Sequence, residues 1–147
     1  MKVLIDADAC PVTTVAAAIC RELGIECHLI CDTAHMLSRE GCVTHVVDKG
    51  ADSADLAIAN RTQPGDLVIT QDYGLASLCL ARRAVVLHQD GWAYTEDNIQ
   101  ALLFQRHETR KYRASGGRVK GPTKRRPEQD KAFAAALRKL LQQSVQG

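Results

Sequence analysis

Apolar residues along this chain follow two alternating patterns. Short, largely apolar runs (Val3 to Ile5, Ile25 to Cys31, Cys42 to Val47, Leu67 to Thr70, Ala84 to His88) are rich in β-branched residues and too short for helices. Between them apolar positions recur every three or four residues, as in Val12, Val15, Ala16, Ile19 and Leu23, or Ala54, Ala57 and Ile58. That spacing predicts helices from Pro11 to the Gly24 stop, from Ala51 to Asn60, and from Tyr73 to Ala81. Thr95-Glu96-Asp97-Asn98 opens a longer helix reaching about Arg110, with acids placed to complement its dipole. A last amphipathic helix, Glu128 to Gln142, gathers Phe133, Leu137, Leu140 and Leu141 on one face.

Strands alternating with helices imply right-handed crossovers and a parallel sheet. The apolar runs lack alternation, as expected for strands buried on both sides. The expected fold is therefore a three-layer α/β/α architecture around a mostly parallel five-stranded sheet, with further C-terminal helices. At 147 residues the chain fits one domain. Ser115-Gly116-Gly117 and Gly121-Pro122 mark a flexible basic segment at about 111–127, ahead of a C-terminal helix at about 128–143.

Composition narrows the class. Aromatics are only 4%, so the core must come from Val, Ile, Leu and Ala. No apolar run approaches the ~20 residues a bilayer span requires. Asp6 and Asp8 interrupt any export signal, so a cytoplasmic protein without a membrane partner is expected. Six cysteines occur with no Cys-x-x-Cys pair, and buried thiols are expected rather than disulfides. A zinc cluster of Cys27, His28, Cys31 and His35 is disfavoured, because neighbouring strand residues point to opposite faces.

Charge is uneven. Arg106, Arg110, Lys111, Arg113, Arg118, Lys120, Lys124, Arg125 and Arg126 face a single acid, Glu108, giving +8 and leaving −6 for the rest of a +2 chain. Such an arm suits nucleic-acid phosphates, and Tyr112 within it suits base stacking. The acids concentrate elsewhere. Asp6 and Asp8 follow the first strand, Asp52 and Asp55 open the helix after the third, and Asp72 follows the fourth, two residues after Thr70. These are the strand ends where open α/β sheets bind ligands. Carboxylates converging there repel one another unless a cation intervenes, and hard oxygen donors select Mg²⁺ or Mn²⁺. The clustering points to metal-dependent phosphoryl chemistry.

The segments Asp6-Ala7-Asp8-Ala9-Cys10-Pro11-Val12, Gly50-Ala51-Asp52-Ser53-Ala54-Asp55 and Thr70-Gln71-Asp72-Tyr73-Gly74-Leu75-Ala76 resemble the motifs of the bacterial YaiI/YqxD family. Gly116-Gly117 and Gly121-Pro122 fit as well, so the likeness spans nearly the whole chain. That family is in turn similar to PIN-like nuclease domains, whose strand-one Asp, acid pair and Thr/Ser-x-Asp land on Asp6, Asp52, Asp55, Thr70 and Asp72. Asp8 is an additional acid, and Asp stands where PIN nucleases often carry Glu. The resemblance implies a nuclease acting on phosphodiesters, RNA above all. Asp6, Asp52 or Asp55, and Asp72 would be metal ligands, with Asp8 joining directly or through water and Thr70 orienting Asp72 or the attacking water.

Two alternatives compete. A haloacid-dehalogenase-like phosphatase would use Asp6 as nucleophile and Asp8 as acid/base. That pattern continues with Thr, whereas Ala9-Cys10-Pro11 follows here, and the Gly65-Asp66 pair precedes the fourth strand. The other is a non-catalytic RNA-binding module.

Overall fold

The computed structural model describes residues 1–8, 10–34, 36–50, 53–118 and 124–146, with only the backbone at 145 and 146. Its elements are β1 (Lys2–Asp6), α1 (Thr13–Leu23), β2 (Glu26–Asp32), β3 (Cys42–Val47), α2 (Ser53–Arg61), β4 (Leu67–Ile69), α3 (Tyr73–Ala81), β5 (Val85–Leu87), β6 (Ala93–Tyr94), α4 (Glu96–Ala114) and α5 (Pro127–Gln146). One sheet runs β3-β2-β1-β4-β5-β6. Its first five strands are parallel and only β6 is antiparallel to its neighbour. The chain thus winds outward from β1 in one direction through β3, then returns to β4 on the other side. The strand order reverses between β1 and β4, and a crevice opens there.

The five parallel strands are those the apolar runs predict. The sixth is a two-residue strand outside those runs. Two residues carry no readable period. Gly91 makes the connection possible at φ 93°, where a Cβ would lie 2.8 Å from the Ala132 carbonyl oxygen of α5.

Alternation along each strand divides the core into two layers. On one face Val3, Ile5, Leu29, Leu67, Ile69 and Leu87 meet α1 (Ala16, Ile19) and α5 (Phe133, Leu137, Leu141). On the other, Leu4, Ile30, Val68 and Val86 meet Ile58, Leu75, Cys79 and Ile99 from α2, α3 and α4. Both faces of the central strands β1, β4 and β5 are covered, which is why their runs lack polar alternation, whereas edge strand β3 leaves Val43 and Val46 exposed. Phe133, Leu137 and Leu141 are fully buried, so the stripe expected on the last helix is its core face. All six cysteines are free, four of them buried.

Several helix boundaries differ from the sequence reading, α5 for one running on to Gln146 beyond the expected Gln142. α1 begins at Thr13, and Pro11 lies in the turn before it. α4 continues past Arg110 to Ala114, so Lys111, Tyr112 and Arg113 are helical rather than part of a flexible segment. Its start is fixed by a reciprocal cap, the Thr95 side chain with the Asn98 N–H and the Asn98 side chain with the Thr95 N–H. Its stop is the glycine pair: Gly116 (φ 94°) donates to the Arg113 carbonyl and Gly117 to that of Tyr112.

The strand histidines are structural. His28 Nδ1 and His45 Nε2 lie 2.8 Å apart with ring planes 8° from parallel and centroids 5.1 Å apart, so the imidazoles meet end to end in one plane. His28 Nε2 is 2.9 Å from Glu26 Oε1. Among the described residues, no helix is long and apolar enough to cross a membrane.

Candidate functional site

Three of the expected carboxylates arrive at the switch point from the ends of β1 and β4. Asp6 is the last residue of β1, and its parity places it on the α2/α3 side of the sheet, in line with Leu4. Asp8 follows after Ala7, whose N–H donates to the Ile30 carbonyl, and Asp8 Oδ1 accepts the Asp32 N–H at 3.1 Å. Asp72 caps α3, its Oδ1 accepting the Leu75 N–H at 3.0 Å. Asp55 comes from the first turn of α2. These four line a single cleft of about 490 Å³ with Ala54, Gln71, Tyr73, Arg106 and Arg110.

Thr70 lies beneath them, 2% exposed. Its hydroxyl donates to Asp6 Oδ2 at 2.9 Å and accepts the Asp72 N–H at 3.0 Å. Its backbone is tied on both sides, the N–H to the Leu87 carbonyl and the carbonyl to the Tyr94 hydroxyl at 3.2 Å. β6 therefore has a positioning role that the sequence did not reveal: it brings Tyr94 under Thr70.

Burial pushes the Asp6 carboxyl up from 3.8 to about 7; the Thr70 hydrogen bond opposes this, and the charges of Asp55, Asp8 and Asp72 add to it. The site thus holds a carboxyl that ionises near neutrality, chiefly because it is buried and further because its neighbours are also acids. Its described donors are oxygen only, which suits Mg²⁺ or Mn²⁺ rather than zinc. Among the described residues, no three His, Cys, Asp or Glu side chains stand close enough to grip one ion as they are. Asp52, expected beside Asp55, lies outside the described residues.

The basic residues separate into distinct groups. Arg106 and Arg110 form a wall of the acidic cleft, and with Tyr73, Gln105, Thr109 and Arg113 they line an adjoining cavity of about 300 Å³. Their spacing on α4 was the available signal. Lys111, Tyr112 and Arg118 are exposed, Lys124 and Arg126 flank a separate pocket, and Lys120 is outside the described residues. Arg125 is engaged within the protein, donating to Asp90 Oδ1 at 2.6 Å, Asp130 Oδ1 at 2.7 Å and the Gln89 carbonyl at 2.7 Å. Asp66, the other acid weighed for phosphatase chemistry, sits at the amino end of β4, away from the cleft. There it accepts the Lys2 N–H at 3.0 Å and the Lys2 ammonium at 2.6 Å.

Fold and site together define an α/β protein with an acid-lined crevice at the reversal of its strand order. The model of the family described as "Uncharacterized BCR, YaiI/YqxD family" matches residues 4–143. A UPF0178 protein of Exiguobacterium sibiricum is 46% identical over 141 residues, 96% of each chain. One of Alkaliphilus metalliredigens is 48% identical over 146 residues, 99% of this chain and 94% of the relative. Another, of Natranaerobius thermophilus, is 41% identical over 143 residues, 97% of each. No solved structure matches significantly. The chain belongs to the YaiI/YqxD family.

Proposed function

We propose that this protein is a metal-dependent nuclease that hydrolyses phosphodiester bonds, in RNA above all, at the cleft between β1 and β4. The observation that carries the reading is the convergence of Asp6, Asp8, Asp55 and Asp72 on one cleft, with Thr70 joining Asp6 to Asp72. The motif resemblance to PIN-like nucleases supports the same activity class. Asp6, Asp8, Asp55 and Asp72, with Asp52, would hold Mg²⁺ or Mn²⁺. The ion supplies Lewis acidity, acidifying water and neutralising charge on the phosphodiester oxygens.

The chain's own groups have separate tasks. Thr70 holds the Asp6 carboxylate and the Asp72 backbone, while the Leu75 N–H holds the Asp72 carboxylate, so that little is reorganised when substrate arrives. Without a cation the Asp6 carboxyl is held up near neutrality, so the converging acids are not all charged at once until the ion arrives. Arg106 and Arg110 offset the repulsion between an acidic cleft and a polyanion, and Arg113 extends that surface.

The test incubates labelled RNA with purified wild type, Asp6→Asn and Asp72→Asn in Mn²⁺. Cleavage by wild type alone supports the reading; equal cleavage by all three exposes a contaminating ribonuclease and removes it. RNA retained without cutting by any of them would identify a binding module instead, a reading that the arginine wall of the cleft favours second. Trapping of an aspartyl-phosphate would identify the phosphatase.

A further inference from the structure

The acidic cleft contains its own cation. α4 buries Ile99 and packs Leu102 and Leu103 against the α2/α3 side of the core. The same helical face continues, one and two turns on, as Arg106 and Arg110. An apolar stripe thus becomes a basic one where the core ends and the cleft begins. Arg106 Nη1 stands 3.6 Å from Asp72 Oδ1, both side chains being a little over a third exposed. Room for this approach comes from Gly74 in the first turn of α3, where a Cβ would lie 3.2 Å from Asp72 Oδ1 and 3.8 Å from Arg106 Nη1. Arg106 also lines the adjoining cavity, so the guanidinium lies on the border between the acids and the arginine-rich flank.

Resting on the metal reading above, we propose that Arg106 is an internal competitor for Asp72: its ion pair and a divalent cation in the cleft exclude each other, so that cation binding releases Arg106 toward a phosphate in the adjoining cavity. The guanidinium neutralises part of the Asp72 charge that a dication would use, and two cations confined to one small cleft repel each other. The consequence is linkage. Whatever draws Arg106 away from Asp72 strengthens cation binding, and by reciprocity the cation strengthens phosphate binding by the same factor. A cleft built this way keeps its acids partly neutralised, and it couples metal and substrate without any movement of the sheet.

The experiment measures Mn²⁺ affinity by the loss of the free-ion electron paramagnetic resonance signal, using full-length wild type, Arg106→Gln and Arg110→Gln. Arg110→Gln removes the same charge one turn further along α4 and serves as the control for long-range electrostatics. Arg106→Gln is expected to bind Mn²⁺ roughly two- to fivefold more tightly than wild type, the scale of a partly exposed ion pair. That gain should persist at about 0.5 M salt, where the Arg110→Gln effect fades through screening. Arg106→Gln binding no more tightly than Arg110→Gln would overturn the proposal while leaving the metal site intact. No Mn²⁺ binding by any of the three proteins would instead remove the metal reading on which it rests. Both substitutions lie beyond the buried part of α4, and matching circular dichroism confirms that the comparison is between folded proteins.

Discussion

Thr70 donates its hydroxyl hydrogen to Asp6 Oδ2 at 2.9 Å across the gap between β4 and β1, where the strand order reverses. The same hydroxyl oxygen accepts the Asp72 N–H, so the group is fully oriented. A half-buried carboxyl, a buried hydroxyl and a helix cap form one unit.

Removing that hydroxyl should affect both stability and titration. Thr70→Val is expected to cost about 1–3 kcal/mol, because a buried carboxylate loses its donor. It should also move Asp6 further above 7, since the lost bond favoured the ionised form. The Asp6 titration profile of the metal-free protein, followed by nuclear magnetic resonance, should shift to the alkaline side, whereas that of Thr70→Ser should stay close to wild type. Coincident profiles for all three would contradict this role.

The raised Asp6 value also has a consequence for stability. Between about pH 4 and pH 7 the folded chain retains a proton that the unfolded chain has released. This contribution is complete below the ordinary value of 3.8 and is lost as the pH rises through about 7. Asp6→Asn abolishes the titration. Urea unfolding should find it close to wild type at pH 5 and about 1–3 kcal/mol more stable at pH 8. A variant less stable than wild type at pH 8 would reverse the sign.

Arg125 and Arg110 should behave oppositely despite equal charge. Arg125→Ala breaks the clasp to Asp90, Asp130 and the Gln89 carbonyl, costing about 1–2 kcal/mol in thermal or urea unfolding. It should leave the salt dependence of RNA binding unchanged. Arg110→Ala should keep stability and reduce the slope of log affinity against log salt by about 0.7. A reduced slope for Arg125→Ala would place it among the phosphate contacts after all.

Two glycines separate strain from crowding. Gly65 has φ 87° and nothing within 4 Å of where a Cβ would stand, so Gly65→Ala should cost about 1 kcal/mol for conformation alone. Gly91 combines φ 93° with a carbonyl oxygen 2.8 Å from the corresponding position. Gly91→Ala should therefore cost clearly more, roughly 2–4 kcal/mol, as α5 is displaced from the β5–β6 turn. Equal costs in urea unfolding would refute the close approach.

Much of this arrangement was legible in the sequence, for definite reasons. The runs around Leu4, Val68 and Val86 are apolar on both strand faces, so they announce buried parallel strands, whereas edge strand β3 leaves Val46 exposed. Asp6, Asp8, Asp55 and Asp72 were readable as a group because strand ends in such a sheet converge on one edge. β6 was not, since two residues have no period and Tyr94 acts through a hydroxyl reaching a carbonyl in another strand. The full extent of α4 is hidden because its basic composition resembles a linker, while its stop depends on Gly116 backbone geometry. The division of labour among the arginines depends on tertiary contacts: Arg125 and Arg126 are neighbours in sequence, yet it is Arg125 that is locked to Asp90.

The most direct measurement is calorimetric titration of Mn²⁺ into wild type and Asp6→Asn at pH 8, where the Asp6 carboxyl is ionised. Wild type is expected to show saturable binding, and Asp6→Asn to bind roughly tenfold more weakly or worse, at least the loss seen when an outer-shell partner is removed. Equal and negligible binding by the two proteins would contradict a metal-dependent cleft.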